Sequence, residues 1–232
     1  EFRMDDIKEV PEEMIAPILG STLKFPAGSG YSYSNLGYVL LGHIIEEASS
    51  KSYENYLRDE FFGPLKMSDT GFEYITDFSS NMAKGHSPDR KTFKYAEPIN
   101  MEVPFAAGGM VSGLHDLAKW NKAVMGGKVI SQVNVDQLQT THVLANGKLT
   151  GYSQGWQIGN IQGVKTVKHD GIVNGFTAMA IYLPAEDLFV AALSNCDESR
   201  DIEIPTSKIA AVLMGKPFRS EPLSLSMEIL KK

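Results

Sequence analysis

The chain has 232 residues, 43% of them apolar and 22% charged, and a formal net charge of −6. These proportions fit a globular chain that buries a sizeable core as one large or two modest domains, and the acidic balance supplies no basic stripe to neutralise phosphates, which argues against a nucleic-acid partner. No apolar run approaches the roughly 20 residues a helix needs to cross a bilayer, and the single cysteine, Cys196, follows an apolar run and reads as a buried, unreactive thiol.

Residues 1–24 read as an N-terminal remnant or linker, acidic and without the basic-then-apolar order of a signal peptide. Glu1-Phe2 has the form of a restriction-site scar, so the chain is expected to begin inside a longer protein. Phe25-Pro26-Ala27-Gly28 signals a turn. A helix is expected over 36–48, with Leu40, Leu41, Ile44, Ile45 and Ala48 as its core face at three-four spacing. Ser52 is placed to cap a second helix over 53–62, stopped by Gly63-Pro64. A third helix starts at Ser112, turns Leu114, Leu117, Ala118 and Val124 inward, and ends at Gly126-Gly127; Ser131 caps a fourth that runs to 139.

From Gly155 the period changes. Strands are expected over 156–158, 165–169, 176–183 and 188–193, rich in β-branched, aromatic and aliphatic residues. Pro184-Ala185-Glu186-Asp187 suits an antiparallel hairpin between the last two, and a final helix spans 205–214. The division that follows is a mostly helical subdomain over 25–150, antiparallel strands with a final helix over 151–218, and a tail over 219–232.

Two short motifs carry the chemistry, Tyr33-Ser34-Asn35 and His169-Asp170-Gly171. Around them stand Phe25-Pro26-Ala27-Gly28, Leu36-Gly37-Tyr38, Phe62-Gly63-Pro64-Leu65, Asp69-Thr70-Gly71-Phe72, Ala107-Gly108-Gly109-Met110, Asp116-Leu117-Ala118 and Leu193-Ser194-Asn195. In this order and spacing the chain resembles the serine β-lactamase and penicillin-binding-protein superfamily, in particular its class C-like branch of esterases and D-amino-acid peptidases. The resemblance implies an α/β (α+β) fold, an antiparallel sheet flanked by helices beside a mostly helical subdomain. It also implies a cleft in which an acyl group passes to a serine.

The resemblance assigns roles residue by residue. Tyr33 takes the place of the catalytic tyrosine, a phenol able to exchange protons with serine or leaving group when nearby positive charge lowers its pKa from about 10. Asn35 offers an amide that donates to a substrate carbonyl and accepts from a lysine, although a lone asparagine there is also a helix cap; Ser34 is expected to face away. His169 stands where lysine or histidine is usual, and because an imidazole is mostly neutral at pH 7, penicillin-type carboxylate binding loses ground to ester or D-peptide hydrolysis. Gly171 lets substrate approach the backbone, and the Ile172 amide would be one oxyanion donor. Asp170 adds a negative charge suited to a substrate amine.

The motif's first part is missing from this pattern. Ser21-Thr22-Leu23-Lys24 is a literal Ser-x-x-Lys, but it lies close before Tyr33 and the Pro26 turn, without the helix that would aim both side chains one way. The expectation is a fragment inactive alone, lacking the N-terminal strands and nucleophile helix, with a serine and lysine supplied by an absent segment. The alternative is a non-catalytic binding or scaffold module. An exposed sheet edge and an uncovered apolar face would then favour a homodimer or element swap. His43, His86, His115, His142 and His169 are scattered, with no metal-ligand spacing, and Gly108-Gly109 lacks the Lys-Ser/Thr of a phosphate loop, so neither metal nor cofactor is implied. Substrate is expected to be a small molecule or peptide. The resemblance is compatible with a periplasmic, extracellular or cytoplasmic location.

Overall fold

The computed structural model describes residues 22–72, 82–198 and 201–216. Ser21, most of the expected N-terminal remnant, and the tail over 219–232 lie outside the described residues.

The Pro26 turn forms as expected, with Ser29 N–H donating to Pro26 O at 3.1 Å. Helix α1 (Asn35–Ser49) follows at once. Its cap is Ser34, whose Oγ accepts from Gly37 N–H at 3.2 Å, while Asn35 is already the first helical residue. The cap therefore falls one position earlier than Asn35, and Ser34 is not idle. The expected core face is also corrected. Leu41 and Ile44 are 50% and 60% exposed, whereas Val39 and Gly42 are buried. The reason is close approach: a Cβ on Gly42 would lie 2.5 Å from Ala106 Cβ and 2.6 Å from the Phe105 ring, in the 3-10 turn Phe105–Ala107. Without a side chain, Gly42 lets that turn press onto α1, and the helix rotates to present it. His43 then stacks on Phe105 with centroids 4.9 Å apart. Glu46 joins His43 Nδ1 at 2.9 Å to the Tyr53 N–H, also at 2.9 Å.

Helix α2 (Tyr53–Leu57) is capped by Ser52 and continues as a π-helical turn, Arg58–Phe62. Two small sheets, not expected in the helical half, follow: β1 (Gly71–Phe72) pairs with β4 (Met110–Val111), and β2 (His86–Asp89) with β3 (Thr92–Tyr95). Helix α3 (Leu114–Met125) starts after Gly113 rather than at Ser112 and ends at Gly126. Its inward residues differ from the apolar set: Leu114 is 49% exposed and Ala118 exposed, while Asp116 is fully buried and Asn121 nearly so. Asp116 Oδ2 accepts from Asp69 N–H at 2.7 Å and Thr70 Oγ1 at 3.0 Å, and Oδ1 accepts from Lys119 Nζ at 2.7 Å. A saturated carboxylate can be buried where an apolar residue would leave those donors unmet. Helix α4 (Gln132–Leu138) is capped by Ser131 as expected.

Strands β5 (Gln157–Ile161), β6 (Val164–Val173), β7 (Phe176–Leu183) and β8 (Leu188–Ser194) form one antiparallel sheet in that order. The β7–β8 hairpin turns through the 3-10 segment Pro184–Glu186. Helix α5 (Glu203–Leu213) covers one face over Ile161, Met179, Ile181, Leu183 and Val190. The opposite face packs Val167 and Tyr182 against Val124, Met125, Val135 and Leu138 of α3 and α4. Helices α3 and α4 thus pack on one face of the sheet and α5 on the other, while Leu193 of β8 and Ile209, Val212 and Leu213 of α5 stay 43%, 50%, 70% and 62% exposed. Cys196 is partly exposed rather than buried, because it follows the end of β8.

Candidate active site

Antiparallel pairing fixes which way each motif residue points. Val167, two residues before His169, faces α3 and α4, and alternate residues of a strand share a face. His169 therefore looks toward the helical half, opposite Ala180 of β7, while Asp170 falls on the α5 side opposite Met179. Strand β5 ends its pairing at Gln157 opposite Lys168, so among the described residues β6 from His169 onward has β7 on one side and no strand on the other. Gly171 and the half-exposed Ile172 lie along that open edge, where a backbone amide is free to meet a ligand.

Tyr33, in the loop before α1, meets His169 with ring centroids 6.0 Å apart. Beside this contact lies a cavity of about 480 Å³ lined by Tyr31, Tyr33, Tyr152, Gln157, Ile158 and Lys168, with His169 behind Tyr152 rather than in its wall. Asn35 is the first residue of α1 and is not among the residues that line this cavity. Asp170 is not brought into this cleft. Its carboxylate accepts from Gln157 Nε2 at 2.9 Å and lines a separate cavity of about 250 Å³ with Gly171, Ile172, Thr177, Ile202 and Glu203. Glu203 is paired there with Lys168.

The residue that sequence reasoning missed is Tyr152. Its hydroxyl lies 3.0 Å from His169 Nε2, and its ring packs at 5.2 Å from Tyr31 and 6.1 Å from Tyr33. Tyr38, on α1, reaches the same hydroxyl. Gly155 makes room for it: at φ +86° it turns the chain in the left-handed region, and a Cβ there would stand 2.8 Å from Tyr38 Oη. The one available signal was an aromatic residue in a glycine-flanked turn, Gly151-Tyr152-Ser153-Gln154-Gly155.

The electrostatics favour protonated phenols. Burial pushes Tyr33 above the usual tyrosine range, and the Asp170 charge and the Tyr38 and Tyr31 phenols push it further. Tyr152 is raised strongly by burial and by its tyrosine neighbours. Among the described residues no cation lowers the Tyr33 phenol, and Lys168, which lines the same cavity, is paired with Glu203. As arranged, Tyr33 can donate a proton or a hydrogen bond. The described residues contain no group of three His, Cys, Asp or Glu side chains able to hold a metal ion, and no helix long and apolar enough to cross a membrane.

A family model described as Beta-lactamase matches residues 1–213. Penicillin-binding protein 4* of Bacillus subtilis (strain 168) is 28% identical over 208 residues, 84% of this chain and 46% of its own length. Protein flp of Staphylococcus aureus (strain N315) is 26% identical over 182 residues, 77% of this chain and 36% of its own length. Among solved structures, the octameric penicillin-binding protein homologue from Pyrococcus abyssi superposes with TM-score 0.74 at 30% identity, covering 89% of this chain and 48% of its own. D-amino acid amidase from Ochrobactrum anthropi SV3 superposes with TM-score 0.75 at 20% identity, over 93% of this chain and 68% of its own. The fold is thus β-lactamase/transpeptidase-like, and the chain spans between a third and a half of the length of these curated relatives.

Proposed function

Since this chain belongs to the β-lactamase family, we propose that it contributes the tyrosine and histidine side of a serine hydrolase site, cleaving an ester, a D-peptide or a β-lactam amide through an acyl-enzyme. The observation that supports this most is the meeting of the Tyr33 and His169 rings at 6.0 Å. Tyr33 is the acid/base group, Asn35 orients the acyl carbonyl, and the Gly171–Ile172 edge of β6 gives an oxyanion donor. Asp170, on the far side of β6, acts at most through its charge. The D-amino acid amidase and penicillin-binding-protein likenesses support the substrate class.

The nucleophile and its lysine lie outside the described residues in this reading, and the 232-residue polypeptide by itself is expected to hydrolyse negligibly. Lys24 supports that view, because 22–24 are not helical. The helical subdomain over 25–150 and the strand region over 151–218 are the two walls of the cleft. Association of copies is part of the same proposal, supported by the octameric homologue. Intact-mass spectrometry after incubation with a fluorophosphonate, and separately with a penicillin, tests it. No adduct is expected; a stoichiometric adduct on Ser21 would overturn the assignment and make the chain a complete enzyme.

A second reading, a non-catalytic binding module, is favoured by the raised pKa of Tyr33. Titration calorimetry separates them: if the chain supplied with its upstream segment binds penicillin and never acylates, the binding reading stands.

A further inference from the structure

Both ring nitrogens of His169 are already engaged. Nδ1 lies 2.6 Å from the backbone oxygen of Asp170. A carbonyl only accepts, so the proton sits on Nδ1. In the neutral ring Nε2 then carries a lone pair, and at 3.0 Å the Tyr152 hydroxyl donates to it. The result is a polar chain from Tyr152 through His169 to the Asp170 carbonyl on β6. Packing holds Tyr152 in place, since its ring rests against Tyr31 and Tyr33 and edge-on to His169 at 6.1 Å.

We propose that Tyr152 is a positioning residue of this cleft: its hydroxyl holds His169 as the Nδ1–H tautomer and its ring ties β6 to the loop that carries Tyr31 and Tyr33, leaving neither imidazole nitrogen free to contact a substrate. His169 then differs in kind from the lysine that could stand in its place. It presents no ammonium to a carboxylate; instead it fixes Tyr152 and the strand edge that carries Gly171 and Ile172. The importance of this for turnover rests on reading the cleft as an acyl-transfer site, but the tautomer itself does not.

The test is long-range proton–nitrogen correlation NMR on the full chain labelled with 15N-histidine, at about pH 8.5, where an ordinary imidazole is neutral. His169→Gln identifies the His169 signal by its loss. The wild-type ring is expected to show Nδ1 protonated and Nε2 bare. Tyr152→Phe should raise the Nε2–H form relative to Nδ1–H by roughly tenfold, the equilibrium weight of one lost hydrogen bond. His43, His86, His115 and His142 report whether the variant is folded; if it is not, the wild-type spectrum decides alone. A wild-type Nε2–H tautomer, or an unchanged ratio in folded Tyr152→Phe, overturns the proposal. Because no acyl-enzyme is needed for this readout, failure of the hydrolase reading leaves it standing, and the reverse also holds.

Discussion

Strand β7 and helix α1 place their apolar residues by different rules. In β7, Met179, Ile181 and Leu183 alternate into the core under α5, and each is no more than 1% exposed. In α1 the large residues Leu41 and Ile44 stay half in solvent while Gly42 is buried. A strand between two hydrogen-bonded neighbours cannot rotate about its axis, so its period alone decides the faces. A helix can rotate, and α1 turns its smallest residue to the element that comes nearest. Helix α3 follows α1: the deciding inward residue is Asp116, the one best matched to the donors around it.

Denaturant unfolding can break or sharpen that contrast. The largest loss is expected for Asp116→Ala, about 3–5 kcal/mol, since it strands Lys119, Thr70 and the Asp69 N–H around an emptied site. Burial alone would raise the Asp116 pKa, but hydrogen bonds from Lys119, Asp69 and Thr70 outweigh it and hold the carboxyl below its usual range. A folded pKa below the unfolded one means stability that is present above about pH 4 and lost as pH falls through the folded value. Wild type should therefore lose stability on acidification over that window, and Asp116→Ala should lose less; equal acid slopes would refute the assignment.

Ile181→Ala comes next, at about 2–5 kcal/mol for a large buried side chain between sheet and helix. Gly42→Ala should cost about 1–3 kcal/mol by overpacking, against the helix-propensity gain of about 1 kcal/mol that an exposed site would show. A stabilised Gly42→Ala protein would mean that close packing does not set the rotation of α1. Smallest of all, Ile44→Gln should stay within about 0.5 kcal/mol. A loss comparable to that of Ile181→Ala would erase the distinction between the two elements.

The sequence was most legible where geometry left least choice. Strands β7 and β8, their hairpin and the caps Ser52 and Ser131 follow directly from alternation and turn chemistry, whereas β5 and β6 run beyond the expected 156–158 and 165–169 to Ile161 and Val173. The β2–β3 hairpin was not legible, because His86-Ser87-Pro88-Asp89 holds a proline and no apolar alternation. It is anchored instead by His86 N–H donating to Asn195 O at 3.0 Å and by Asn195 Nδ2 donating to Lys84 O at 2.9 Å. At the cleft, Tyr33 and His169 were visible as motif residues. Tyr152 was not, since its meeting with His169 depends on how the turn before β5 folds over β6, which no local pattern encodes.

On β6, His169 and Asp170 are neighbours in sequence but face different surroundings, one the tyrosines and the other Ile202 and Glu203. Sliding the strand by a single residue would exchange them, bringing a carboxylate among the phenols and an imidazole beneath α5. The pairing of β6 with β5 and β7 thus acts as a sorting device for charge: hydrogen bonds far from any substrate decide whether the cleft is neutral or anionic.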